Sequence, residues 1–271
     1  MAEPRRAAVL GRPVTHSLSP TLHAAAYRAT GLTQWSYAAH DVGADELASW
    51  VAPLDESWRG LSLTMPLKEA AFDVASTVTQ TARVTGAINT LVRRGDLGWD
   101  AHNTDVRGIE CALADVAHDG SAVVLGGGAT ARSAILALAA LGVERVVLAV
   151  RGEARPETLR LAVHAGVAIE VVPLASWTAR PSGVVVSTLP PQGGLVAAAA
   201  VGTRRRAGTL MDVVYADWPT PLATAASRAG LSVRSGLDML VYQAAEQFRL
   251  FTGTPPPVQA MYAAGRQALA R

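Results

Sequence analysis

Lysine is almost missing from this chain. Of the 24 basic side chains in 271 residues, Lys68 is the one lysine and the other 23 are arginine. Cysteine is equally scarce, with Cys111 alone, which excludes an intramolecular disulfide and a cysteine-based metal site. Cys111 lies in an apolar helical pattern and reads as a buried packing thiol. No apolar run reaches membrane-spanning length, and the arginines of the opening MAEPRRAAVLGRPV are not followed by a long apolar stretch, so no signal peptide is expected. The net charge is only +2. The arginines are scattered, and their one cluster, Arg204-Arg205-Arg206, is too short for a nucleic-acid stripe and reads as a solvated turn. The expectation is a soluble cytoplasmic protein that binds neither nucleic acid nor membrane.

Half of the residues are hydrophobic, enough to bury a sizeable core. Short apolar runs alternate with helical stretches. Strands are expected at 7–11, 35–42 and 60–65, with helices at 19–31, 44–54 and 68–76. NTLVRR and LGWDAH, separated by GD, suggest a hairpin. A longer helix fits 104–117. Beyond it, strands near 121–125, 145–150, 168–173, 183–188 and 209–215 are spaced as in a parallel sheet with crossover helices. The stretch 237–271 is helical, broken at Pro255-Pro256-Pro257.

The run VVLGGGATARSA places Gly126-x-Gly128-x-x-Ala131 between a strand and a helix. The first glycine permits a tight turn, the second lets a phosphate approach the backbone, and a small third residue lets helix and strand pack closely. Free N–H groups at the helix start suit a pyrophosphate. The context favours a dinucleotide site over a merely tight turn. The next strand ends in LAVR. An arginine there, Arg151, suits the 2′-phosphate of NADP through a fork-shaped contact, whereas Glu153 nearby and an exposed loop arginine are the competing readings.

A group that exchanges a hydroxyl proton must be able to lose its own. Arginine does not do so at ordinary pH, and lysine can where its surroundings lower its pKa. Lys68 stands near the start of a helix, where the dipole disfavours a cation. The competing reading is a surface lysine that escaped replacement. Ser17 and Ser19 precede a helix and could meet a carboxylate there; capping by Ser19 ahead of Pro20 is the plain alternative and is compatible with it. Asn89 and Thr90 follow TGAI. Asn103, Thr104 and Asp105 open the long helix, where Asp105 could serve simply as a cap.

Taken together, these residues resemble the shikimate dehydrogenase family over nearly the whole chain. GRPVTHSLSPTLHAAAY, LTMPLK, GAINTL, NTDVRG, GGGATAR, MDVVYADWPTPL and SGLDMLVYQAAEQFRLFTG follow its motifs in order. The resemblance implies an α/β fold of two domains. Residues 1–104 with 238–271 would form a substrate-binding and catalytic domain to which the C-terminal helices return, and 105–237 a Rossmann-like, doubly wound NADP-binding domain. It implies an NADP-dependent oxidoreductase without metal that reversibly reduces 3-dehydroshikimate to shikimate on the way to chorismate and the aromatic amino acids, working as a monomer or homodimer.

By position, Lys68 and Asp105 would be the catalytic pair. Ser17 and Ser19 would bind the carboxylate with Thr64 and Tyr215 nearby, and Asn89 and Gln243 would hold ring hydroxyls. Gly126, Gly127, Gly128, Ala129, Thr130 and Ala131 would carry the pyrophosphate, and Arg151 the 2′-phosphate. Ser187, Thr188, Gly236 and Met239 complete the cofactor side, the last two against the nicotinamide. Ser62 departs from the family where many members have asparagine. Ala129 replaces a glycine, AVRGEAR loses the polar groups flanking Arg151, STLPPQG replaces N-A-T-P-x-G, and His102 stands where aspartate is common. A quinate or aminoshikimate dehydrogenase of the same family is the near alternative. A non-catalytic sensor of NADP or shikimate is a second one, and the intact Lys68–Asp105 pair argues against it.

Overall fold

The computed structural model describes residues 3–95, 98–179 and 183–270. They fall into two compact units: residues up to Gly108 together with those from Leu240 onward, and Ile109–Met239.

The first unit opens with β1 (Arg5–Gly11), α1 (Ser19–Ala29), β2 (Trp35–Asp41), α2 (Leu47–Val51), β3 (Trp58–Leu63) and α3 (Leu67–Ala70). It continues with β4 (Thr77–Val78), α4 (Gln80–Thr85), β5 (Thr90–Arg93) and β6 (Trp99–His102). The described strands form one mixed sheet in the order β2-β1-β3-β5-β6-β4. β1 pairs in parallel with β2 and β3, while β5 runs antiparallel to both β3 and β6. Leu10 stands opposite His40 and Leu63, and Ser62, Thr90 and His102 share a row. The ends of β1, β3 and β6 and the start of β5 therefore lie at one end of the sheet. Segments 12–18, 64–68 and 103–105, together with Asn89, emerge there side by side.

α5 (Asp105–Leu113) leads to the second unit, with β7 (Ser121–Leu125), α6 (Ala129–Ala140), β8 (Arg145–Val150), α7 (Pro156–Ala165) and β9 (Ala168–Pro173). β10 (Val184–Ser187), α8 (Pro191–Ala199), β11 (Thr209–Asp212), α9 (Pro221–Arg228) and β12 (Ser232–Arg234) follow. The strands are parallel, in the order β12-β11-β10-β7-β8-β9. The unit starts in the middle of its sheet, lays β8 and β9 on one side of β7, and then reverses to lay β10, β11 and β12 on the other. That is the doubly wound dinucleotide arrangement, whose ligand crevice lies at the strand ends where the order reverses. The apolar runs of β7 and β10 are buried throughout their centres, as a sheet covered on both faces requires. α10 (Leu237–Thr252) and α11 (Val258–Leu269) close the chain, α11 packing along α1.

Alternation along β3 gives the first sheet two unlike faces. Leu61 and Leu63 join Leu10, Leu47, Val51, Leu67, Leu91 and Trp99 in an apolar core, each fully buried leucine contributing roughly 1.5–3 kcal/mol. Gly60 and Ser62 face the opposite way, towards Phe251 and Gln247 of α10.

Several elements differ from expectation. The helix expected at 44–54 is the short α2, and the one at 104–117 ends at Leu113. β4, α4, α8 and β12 carry no strong periodicity, whereas α9 is amphipathic, with Leu222, Ala223 and Ala226 buried. Proline and paired glycines obscure α8, and β12 is three residues long. Cys111 is partly exposed rather than buried, because it lies on a flank of α5 beside the buried Ala112 and Ile109.

At Gly60 α10 lies close against the sheet, since a Cβ there would overlap the Phe251 ring. Gly60→Ala is expected to cost about 1–3 kcal/mol by overpacking. Urea unfolding checks this, and Gly60→Ala/Phe251→Leu should recover part of the loss.

Candidate active site

The sheet end described above gathers the polar residues of the first unit. β3 delivers Thr64, whose N–H donates to Leu10 O, and the chain turns through Leu67 N–H to Thr64 O into α3. Lys68 follows, its carbonyl accepting from Ile88 N–H at 2.8 Å. Its ammonium donates to Asp105 Oδ2 at 2.6 Å, with side-chain exposures of 15% and 5%. A nearly buried ion pair is weak evidence of stabilisation, because desolvation offsets most of the attraction. Its placement is better explained by chemistry than by folding.

Asp105 is the first residue of α5, yet it is not the cap. Asn103 Oδ1 accepts the Asp105 N–H at 3.0 Å, which frees the Asp105 carboxylate to face inward. Its other oxygen, Oδ1, accepts from Asn89 Nδ2 at 2.8 Å. Asn89 Oδ1 in turn accepts from Thr104 N–H and the Thr90 hydroxyl. The Asn89 amide is thereby locked with its nitrogen towards Asp105 and, at 3.3 Å, Gln243 Oε1. Lys68, Asp105, Asn89 and Gln243 thus form one connected set.

Ser17 and Ser19 occupy the loop after β1. The helix starts at Ser19 with Leu18 in the cap position, and Ser17 Oγ accepts the Ser19 N–H at 3.3 Å. Capping by Ser19 itself is therefore not what is found. Ser19 is buried and lies beside the Tyr37 hydroxyl, whose ionisation burial disfavours while the Ser62 and Ser19 hydroxyls oppose that effect. Tyr37 donates to Ser62 Oγ at 2.6 Å, and Ser62 donates to Gln247 Oε1 at 2.8 Å.

In the second unit the glycine turn follows β7 at the reversal of strand order. Gly126 has φ +107° and lies against Thr188 Oγ1, which leaves no room for a side chain. Gly128 caps α6 without a side-chain hydrogen bond and faces open space, while Ala131 is fully buried. A helix start of this kind suits an anion, and the residues present fit a dinucleotide phosphate. Gly127 lies against Val150. Arg151 is exposed just beyond the end of β8, beside the turn, with Ala129 and Thr130 opening α6. Thr188 donates to Leu125 O, and Ser187 is buried beside Asp212. Asp212, its carboxyl pushed up by burial, accepts from Thr220 and from Val214 N–H. Gly236 donates to Val214 O at 3.1 Å, which fixes the strip leading to Met239, and Tyr215 sits on the Asp212-anchored loop of this unit.

Tyr37 and Gln247 are the polar groups that the sequence reading overlooked. Gln243 and Gln247 stand four apart on α10, one face of a helix. That spacing was the available signal for Gln247. Tyr37 carried none, since a strand tyrosine is ordinarily a packing residue.

Two family models match the chain. The shikimate dehydrogenase substrate binding domain covers residues 9–91, and the shikimate 5'-dehydrogenase C-terminal domain covers residues 236–264. A shikimate dehydrogenase (NADP(+)) of Geobacter metallireducens is 35% identical over 263 residues, 92% of this chain and 91% of the relative. The crystal structure of Mycobacterium tuberculosis shikimate dehydrogenase superposes with a TM-score of 0.88 at 43% identity, covering 98% of this chain and 100% of that one. That of shikimate 5-dehydrogenase from Thermus thermophilus in complex with NADP(H) and shikimate gives 0.80 at 33% identity, again over 98% and 100%.

His23, one helical turn beyond Ser19, is fully buried and stacked on Tyr37 with ring centroids 4.1 Å apart. Its ring nitrogens make no hydrogen bond of good geometry among the described residues. Burial pushes its pKa down to about 3, and the nearby Gln247 amide only partly opposes this. The unfolded chain takes up this proton near the ordinary value of 6.5, so the contribution is complete above that pH and is lost as pH falls towards 3. Urea midpoints at pH 7 and pH 5 are expected to differ less in His23→Phe than in the parent. An unchanged difference would contradict a neutral buried ring.

Proposed function

The chain belongs to the shikimate dehydrogenase family, and from that premise we propose that it catalyses the reversible NADPH-dependent reduction of 3-dehydroshikimate to shikimate. The observation that carries the reading is the Lys68–Asp105 pair, 2.6 Å long and nearly buried at the same sheet end as Ser17, Ser19, Thr64, Asn89 and Gln243.

Bound NADPH supplies the hydride. Lys68 gives its proton to the C3 oxygen as that oxygen gains charge, and takes it back in the reverse direction. Asp105 holds the ammonium through Oδ2 and is itself kept in place by the Asn89 hydrogen bond on Oδ1. Asn89 and Gln243 offer amide groups to ring hydroxyls. Ser17, Ser19 and Thr64 supply neutral donors for the carboxylate, which orients the ring without competing for the Lys68 charge. Tyr215 would be the further carboxylate ligand that the family resemblance implies. In the second unit, Gly126, Gly127, Gly128, Ala129, Thr130 and Ala131 would hold the pyrophosphate, and Arg151 the 2′-phosphate, with Ser187, Thr188, Gly236 and Met239 on the cofactor side. Among the described residues no helix is long and apolar enough to cross a membrane, which is compatible with a cytoplasmic enzyme.

NADPH oxidation with 3-dehydroshikimate tests the reading, followed by the reverse reaction with shikimate and quinate on both cofactors. Activity with shikimate and NADP above quinate and NAD is expected, and an inert enzyme would overturn it. Lys68→Ala should lose about 10²–10⁴-fold in kcat with a smaller change in KM. Lys68→Arg should fare little better, because charge is kept and proton exchange is not. Near-normal turnover in Lys68→Arg would remove the proton-transfer role. Ser17→Ala should mainly raise KM for shikimate.

A further inference from the structure

The polar face of the first sheet carries a hydrogen-bond chain whose first members, Tyr37, Ser62 and Gln247, the proposed chemistry does not use. Tyr37 donates to Ser62 Oγ, and Ser62 donates to Gln247 Oε1. Gln247 Nε2 donates to Thr90 Oγ1 at 3.0 Å and to Asn89 O at 3.3 Å. Thr90 then donates to Asn89 Oδ1 at 2.7 Å, and Asn89 Nδ2 donates to Asp105 Oδ1 at 2.8 Å. Every donor points the same way, and the chain ends on the carboxylate that holds Lys68.

Gln247 carries that direction from Ser62 to Thr90. It is 1% exposed, and both ends of its amide are committed. Because Ser62 occupies its oxygen, its nitrogen must face Thr90. Because the Thr90 oxygen receives that N–H, the single Thr90 proton is free to go to Asn89 Oδ1. With the Thr104 N–H on the same oxygen, this keeps the Asn89 nitrogen on Asp105. In a buried network, such bonds reinforce one another, and a missing member leaves the rest unpaired.

We propose that Gln247 is a positioning residue of this enzyme, which through Thr90, and alongside the Thr104 N–H, holds Asn89 and hence the Asp105–Lys68 pair in place. The inference rests on the reading of Lys68 and Asp105 as the catalytic pair. Gln247 touches neither reacting atom, so its effect falls on turnover rather than on substrate affinity.

The test compares the parent enzyme, Gln247→Leu and Gln247→Ala/Ser62→Asn in shikimate oxidation, with kcat expressed per binding-competent site counted by calorimetric titration with shikimate. Gln247→Leu preserves bulk and is expected to lose roughly 5- to 50-fold in kcat, the scale of one buried hydrogen bond to a charged group's partner, with KM for shikimate changed less than about twofold. Gln247→Ala/Ser62→Asn returns an amide to the same space and is expected to recover most of that loss, whereas Gln247→Ala alone is not. A merely structural role would lower the count of competent sites and leave kcat per site unchanged, and that result overturns the proposal. So does a Gln247→Leu defect confined to KM. A parent enzyme inert towards shikimate would overturn the reading of the site and this inference with it. An active parent with an unaffected Gln247→Leu would remove only the role of Gln247.

Discussion

The interaction on which the rest of the first unit depends is the contact between one ammonium and one carboxylate, Lys68 and Asp105, at the end of a mixed sheet. Two opposite charges with so little exposure repay their desolvation only if the remaining polar atoms around them are matched. The matching is thorough. One carboxylate oxygen serves Lys68 and the other Asn89. The Asn89 carbonyl is held by Thr104 N–H and Thr90 Oγ. The cap that would ordinarily consume an aspartate at a helix start is provided by Asn103 instead. Each arrangement leaves Asp105 free to face the lysine.

The sheet makes this possible by being two-faced. One side is apolar, built from Leu10, Leu61, Leu63, Leu91 and Trp99, and supplies the burial that fixes strand register. The other side carries Ser62 and Thr90, with Tyr37 and His23 stacked nearby and Gln247 reaching in from α10. A one-residue slip of β3 would exchange the two sets and place hydroxyls in the core. The core therefore holds the polar chain in register, and the polar chain holds the ion pair.

How much of this is legible in the residues themselves varies with the physical signal. Lys68 stood out because arginine replaces lysine everywhere else, and the proposed proton transfer is one that arginine does not perform. The glycine turn was legible because positive φ and close packing restrict residue choice, and Gly126 and Ala131 meet those restrictions. The parallel strands of the second unit were legible as near-continuous apolar runs. Asp105 was ambiguous, since capping and pairing use the same residue at the same place, and only the position of Asn103 separates them. Gln247 was hidden because its partners lie 157 and 185 residues away along the chain. β12 and α8 were hidden because three residues in one case, and proline with paired glycine in the other, leave no period to detect.

The most direct measurement of the central claim is a double-mutant cycle on kcat at Lys68 and Asp105, using Lys68→Ala, Asp105→Ala and both together, each checked for folding by circular dichroism. Residues that act as one unit lose most of the rate once either is removed. The double variant is therefore expected to be little slower than the slower single variant. Losses that multiply across the two positions would show that Lys68 and Asp105 act independently and would contradict the pair as the catalytic unit.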